Sequence, residues 1–163
     1  MTIVRRLSDL IYSVERVLAI LLFTFLLTTI VLGVFYRYFL HSPLSWSEEF
    51  GMFALVWVTF IGGSMSIKMK KAAAVSFLID RLPTRLRRIF LIISMVITFL
   101  FCLYIFYLSA KWILDPMILL QKSQAVQLPM IIPYFGIPVG MLFMTIHTFD
   151  MLLGAFQDRK GEA

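Results

Sequence analysis

Residues 17–38 read VLAILLFTFLLTTIVLGVFYRY, and no charged side chain interrupts them before Arg37. At about 1.5 Å of rise per residue, a helix of this length crosses a hydrocarbon layer about 30 Å thick. Membrane-crossing strands are shorter and alternate apolar with polar side chains, which this run does not do. Three comparable runs follow, at about residues 49–67, 89–111 and 130–153. The expected fold is therefore all-α and integral to the membrane, with four tilted transmembrane helices forming a single membrane domain over residues 1–163.

Composition supports this. Of the 163 residues, 61% are hydrophobic and 15% charged. A soluble domain this small keeps too much surface to hide that much apolar material. The positive net charge is topological and does not indicate a nucleic-acid partner. Arg5, Arg6 and Arg16 precede the first span, and Lys68, Lys70, Lys71, Arg81, Arg85, Arg87 and Arg88 separate the second from the third. Arg159 and Lys160 follow the fourth, leaving only Arg37, Lys111 and Lys122 for the opposite side. Short loops rich in Lys and Arg stay in the cytoplasm, so both termini are expected there. The first apolar run is too long for a signal peptide, and no small-residue cleavage pattern follows it.

Between the spans, three segments carry local signals. In residues 1–16, Val4, Leu7, Ile11 and Val14 recur at helical spacing among polar residues. That pattern predicts an amphipathic interfacial helix, with Arg5 and Arg6 among phospholipid head groups. In the basic loop 68–88, apolar residues from Val75 to Ile89 again follow helical spacing, and Pro83 divides them into two short interfacial pieces. Arg81, Arg85, Arg87 and Arg88 then serve as lipid or partner contacts, or simply as topology anchors. Ser45-Trp46-Ser47-Glu48 fits a capping box, with Ser45 as the cap and Glu48 reaching back to it.

Small residues in the later spans suggest close helix packing, through Gly62 and Gly63 in the second and Gly136 and Gly140 in the fourth. Pro129, Pro133 and Pro138 should bend the fourth span near its start. Thr24, Thr28 and Thr29 can bond back to carbonyls of their own helix.

Little in the chain suggests chemistry. No metal-ligand spacing, nucleophile with base, or phosphate-binding glycine loop occurs. His41 and His147 lie near opposite membrane faces and cannot bracket one haem. Cys102 stands alone, so it forms neither an internal disulfide nor a thiolate metal site. No catalytic, cofactor-binding or metal-ligating residue is assigned, and the chain does not read as an enzyme. The carboxylates all fall where they can reach an interface, and His147 and Asp150 share a helix face as an interfacial polar pair or a proton relay. A short loop brings Arg37, Glu48 and Glu49 to one interface, where an ion pair would fix the first hairpin or receive an external partner.

Several of these stretches together resemble a known family. Phe35-Tyr36-Arg37-Tyr38-Phe39, Pro43-Leu44-Ser45-Trp46-Ser47-Glu48-Glu49 and Trp57-Val58-Thr59-Phe60-Ile61-Gly62 are similar to the small membrane subunit of tripartite ATP-independent periplasmic (TRAP) transporters, the DctQ family. Asp80-Arg81-Leu82-Pro83 with Arg85-Leu86-Arg87-Arg88 resembles its cytoplasmic loop, and Pro129, Pro133-Tyr134, Pro138 and Gly140 the start of its fourth span. One departure is Lys70-Lys71-Ala72-Ala73-Ala74-Val75, where the family often carries glycine or histidine before β-branched residues. The resemblance implies a scaffold beside a large multi-span permease subunit, in the bacterial inner membrane. That large subunit would hold the sodium and substrate sites and move them in an elevator-like manner. A periplasmic substrate-binding protein would deliver an organic acid. On this reading Arg37, Trp46, Glu48, Glu49, Pro129, Pro133 and Tyr134 are candidates for the docking interface. A haem-free membrane anchor of a respiratory enzyme, or a small homo-oligomeric exporter, are the alternatives.

Overall fold

The computed structural model describes residues 3–69 and 84–157. Six helices account for nearly all of them: α1 (Ile3–Phe39), α2 (Ser45–Lys68), α3 (Thr84–Ile113), α4 (Pro116–Leu120), α5 (Ile131–Tyr134) and α6 (Gly136–Gln157). Four helical stretches, those of α1, α2, α3 and α5 continued into α6, are long and apolar enough to cross a membrane. They alternate in direction. One end of the bundle, here the terminal end, carries the start of α1 and the ends of α2 and α6. The opposite, hairpin end carries the connections from α1 to α2 and from α3 to α5.

Residues 3–16 are helical and continuous with the first span. α1 runs unbroken for 37 residues, about 55 Å, well beyond the thickness of a hydrocarbon layer. Nothing before Gly33 interrupts it: no proline or glycine lies between Ile3 and Leu32. Part of its early polar face is turned into the bundle. Ser8, Ile11 and Glu15 are buried against the bundle, while Arg5 and Arg6 remain exposed.

α2 differs from expectation at its start. Leu44, in extended conformation, occupies the cap position, and no side chain caps the helix. Ser45 is already helical, and the hydroxyl of Ser47 donates to the Leu44 carbonyl at 2.9 Å. Glu48 does not turn back to the helix start because the Arg37 guanidinium takes its carboxylate. A charged partner outcompetes a neutral backbone N–H for a carboxylate.

The remaining boundaries follow from local chemistry. Asp115 caps α4, accepting from the Met117 N–H at 2.9 Å, with Pro116 at the first helical position. α5 and α6 are separated only by Phe135. The break falls between Pro133 and Pro138, where a proline ring replaces a backbone donor. Trp57 of α2 donates Nε1–H to the Ile132 carbonyl beside the break, at 3.2 Å. Pro83, expected to divide two interfacial helices, lies outside the described residues with most of that segment, and from Thr84 the chain is already α3. Thr24, Thr28 and Thr29 bond back to the carbonyls of Ile20, Thr24 and Leu26.

In packing order α1 lies on α2, α2 on α6 and α6 on α3, and α1 also meets α6 at the terminal end. The interior is thin, with Ala54, Ile61, Cys102, Pro133 and His147 among its buried residues. α6 is the most enclosed span and α3 the least. Phe90, Ile93, Ile97, Phe101 and Tyr104 of α3 all remain exposed.

Candidate functional site

Two clusters of polar side chains stand out from this apolar frame, one at each end of the bundle. At the hairpin end, His41 with a positive φ of 53° and Pro43 reverse the chain between α1 and α2. The reversal brings Arg37 against Glu48, and the two form an exposed ion pair across the hairpin.

Glu49 does not join that pair. Its carboxylate accepts from the backbone N–H groups of Ala125 and Val126, at 2.6 and 3.1 Å. Adjacent residues on a helix point about 100° apart, so Glu48 faces α1 while Glu49 faces the loop before α5. That loop is ordered by its own bonds as well. Ser123 N–H donates to the Leu128 carbonyl at 2.8 Å, and Met130 N–H to the Gln121 carbonyl at 2.9 Å. Lys122 and Pro129 face each other as an isolated bridge. Tyr134 packs against Trp112 with ring centroids 4.9 Å apart, tying α5 to α3.

The hairpin-end surface therefore combines the Arg37–Glu48 pair, exposed Trp46 and a loop pinned by Glu49. Pro129 is exposed there, whereas Pro133 is fully buried and cannot touch a partner. Below Arg37 and Glu48, an open cavity of about 440 Å³ lies between α1 and α2, lined mainly by apolar side chains such as Leu26, Ile30, Val34 and Met52.

Of the four glycines expected at helix contacts, three lie there. A methyl group on Gly140 would stand 2.5 Å from Cβ of Phe60, one on Gly63 2.7 Å from Cε of Met144, and one on Gly136 3.1 Å from the Trp57 ring. Gly62 faces open space instead. Its position, one residue before Gly63, turns it away from α6.

The terminal end holds the cluster that sequence reasoning missed. His147 and Asp150 do not pair as an interfacial couple. His147 is completely buried, with Nδ1 2.8 Å from the Ser8 hydroxyl and Nε2 3.0 Å from a carboxylate oxygen of Glu15. Asp150 accepts from Lys68 at 2.9 Å, and Lys68 also reaches Asp9 at 2.8 Å and Ser8 at 2.7 Å. Glu15, one of the polar residues of the amphipathic stretch 1–16, is 0% exposed. The only signal in the sequence was the seven-residue spacing of Ser8 and Glu15, which places both on one face. Of the basic residues expected at the inner interface, Arg81 lies outside the described residues, and Arg85, Arg87 and Arg88 lie on the first turns of α3. Among the described residues no group of three metal-ligating side chains occurs.

Comparison with known proteins gives a consistent picture. Residues 26–158 match the sequence profile described as tripartite ATP-independent periplasmic transporters, DctQ component. The chain is similar to the isethionate TRAP transporter permease protein DctMQ of Oleidesulfovibrio alaskensis, at 30% identity over 125 residues. That match covers 73% of this chain and 20% of the relative. It is also similar to the sialic acid TRAP transporter small permease protein SiaQ of Vibrio cholerae, 26% identical over 96 residues, covering 59% of this chain and 55% of that one. A putative TRAP transporter small permease protein of Haemophilus influenzae is 24% identical over 159 residues, covering 97% of this chain and 98% of that protein. The matched segments thus span about a fifth and about half of the first two relatives.

Proposed function

Because the chain belongs to the DctQ family of TRAP transporters, we propose that it is the scaffold of such a system, holding a large permease subunit in place while performing no chemistry itself. The family is one of transport proteins, not enzymes, and the chain is a multi-pass protein of the bacterial inner membrane. The observation that carries the scaffold reading is the thinness of the fold. Four long helices enclose only a thin core, and the outward faces of α1 and α3 stay apolar. Single exposed apolar residues are ordinary, but faces of this extent suit lipid or a larger membrane partner.

The large subunit would carry the sodium and substrate sites and move them in an elevator-like manner. A moving domain needs a fixed frame, and interfacial anchors such as Trp46, Trp112 and Tyr134 resist rocking of the helices. The low coverage of the Oleidesulfovibrio permease supports this division of labour, since four-fifths of that protein lies outside the match. The substrate would be a small organic acid brought by a periplasmic binding protein, in keeping with the isethionate, sialic acid and C4-dicarboxylate named for relatives. The hairpin-end surface, with Arg37, Trp46, Glu48, Pro129 and Tyr134, would meet that protein or the large subunit.

The test is purification from native membranes in mild detergent with a tag after Ala163, followed by mass spectrometry of what accompanies the chain. A large polytopic permease is the expected companion. Self-association alone, or a soluble redox enzyme in its place, would overturn the scaffold reading.

A further inference from the structure

The scaffold role leaves the cavity between α1 and α2 unused. Its walls are two facing stripes of apolar side chains at helical spacing, Leu26, Ile30 and Val34 from α1 and Met52 and Leu55 from α2. Two glycines shape it. At Gly33 the helices come so close that a methyl group would stand 2.5 Å from the Ser47 hydroxyl oxygen. At Gly51 a methyl group would meet nothing nearer than 3.9 Å, on Thr29 and Ile30, so the missing side chain leaves open space. The Ser47 hydroxyl in the lining already donates to the Leu44 carbonyl, and below its mouth the groove asks for no hydrogen bond. Water does not settle in apolar space of this kind. The cavity of about 440 Å³ is within the range of small-ligand sites, about 300–1,000 Å³.

The mouth has the opposite chemistry. Arg37 and Glu48 stand there with side chains 54% and 61% exposed, beside Tyr38 and Leu44. One guanidinium nitrogen donates to one oxygen of Glu48, and among the described residues neither side chain makes a further hydrogen bond. A guanidinium has five N–H donors and a carboxylate about four acceptor positions, so most of both remain open. Glu49, the next carboxylate, is taken by the N–H groups of Ala125 and Val126. His41 lies in the turn above, and Lys122 in the loop before α5. The mouth thus presents one cation and one anion side by side. From Arg37 down to Leu26 is about 16 Å along α1. That is close to the depth of one leaflet, half of a hydrocarbon layer about 30 Å thick.

We infer that this groove binds one phosphatidylethanolamine molecule from the leaflet at the hairpin end. An acyl chain lies between α1 and α2, the lipid phosphate accepts from Arg37, and the primary ammonium donates to Glu48. Guanidinium suits phosphate because its N–H groups form a planar fork. The internal pair is exposed, so each partner gains little from the other and can share its open atoms with the headgroup. Charge complementarity selects the headgroup. Phosphatidylglycerol offers a phosphate to Arg37 but sets a second negative charge beside Glu48. Phosphatidylcholine carries the right charges, but its trimethylammonium group has no N–H to donate. The site requires only that the chain cross a membrane, and does not depend on which subunit accompanies it.

The test uses the full-length chain in detergent micelles holding equal amounts of phosphatidylethanolamine, phosphatidylglycerol and phosphatidylcholine with the same acyl chains. Native mass spectrometry counts the lipid each protein keeps. The wild type should keep one phosphatidylethanolamine, about tenfold in preference to either other lipid, as befits two charge-assisted contacts. Glu48→Gln should reduce the preference over phosphatidylglycerol to about twofold or less, since only the phosphate contact keeps its full charge. Met52→Trp fills the groove and leaves the mouth intact, so it should lower retention of all three lipids. Equal retention of the three by the wild type would overturn the inference, and that comparison needs no variant to fold. An unchanged preference in folded Glu48→Gln, or unchanged retention in folded Met52→Trp, would overturn it as well. A photo-crosslinking residue at position 52, activated in native membranes, separates the other occupants. A phospholipid adduct supports the site; adducts only with a second copy or another protein chain would overturn it.

Discussion

Gly140 measures how closely the second and fourth spans approach. A methyl group there would lie 2.5 Å from Cβ of Phe60 and 3.1 Å from its carbonyl carbon. Backbone cannot move aside as a flexible side chain can, so Gly140→Ala should destabilise the protein by about 1–3 kcal/mol. Gly62→Ala, facing open space, should stay within about 0.5 kcal/mol of wild type. Thermal unfolding in detergent compares the two. Glu49 gives a different kind of test, since its side chain orders a loop more than 70 residues away in sequence. Glu49→Gln keeps the shape but loses the charge on the acceptor. Hydrogen exchange at Ala125 and Val126 should then accelerate, while that at Ser123, held by the Leu128 carbonyl, should change less. Equal rates in both proteins would mean that the loop orders itself.

At the scale of elements, α1 is the informative case. Its early residues have an amphipathic pattern, which ordinarily marks a helix lying on a membrane surface. Here the polar face is occupied by Lys68 from α2 and His147 from α6, so those turns belong to the bundle. Removing one partner of a buried hydrogen-bonded pair is costly, whereas replacing both with apolar residues of similar shape is often mild. His147→Leu should therefore lose about 1–3 kcal/mol, because the buried Glu15 side chain loses its hydrogen-bond partner. Glu15→Leu with His147→Leu should lose clearly less than the two single changes added together, with a coupling of about 1 kcal/mol or more. Additive losses, measured by denaturant or thermal unfolding, would mean the two side chains act separately. The break at Phe135 teaches a related lesson. Prolines mark where a helix must yield, but the Trp57 donor that meets the Ile132 carbonyl at the break comes from another element.

For the whole molecule, the packing of the helices leaves two apolar faces and a polar surface at the hairpin end. If that surface receives a partner, reversing Arg37 to Glu should weaken co-purification of the companion subunits and lower transport. Combining it with Glu48→Arg restores the internal pair while inverting its direction. Recovery in the double variant would assign the pair to holding the hairpin; continued loss would assign Arg37 itself to the partner. Uptake of an organic acid by cells carrying each variant, beside quantification of the co-purified permease, distinguishes these outcomes.

The spans, their order and their alternation were determined by sequence alone, because the cost of placing charge and unpaired backbone in lipid leaves few arrangements open to four apolar runs of this length. The Arg37–Glu48 contact was also legible, since a loop of a few residues forces its ends together. Tertiary structure decided what depends on facing surfaces of distant segments. Glu48 and Glu49 are neighbours in sequence, yet one pairs with α1 and the other with the loop before α5, and Gly62 and Gly63 are neighbours of which only one meets α6. Glu15 and His147 lie 132 residues apart, each at a position where a local reading gives a membrane interface. Their burial depends on the rotation of α1 about its axis relative to α2 and α6. That rotation is set by packing among all three helices, and no single stretch of sequence encodes it.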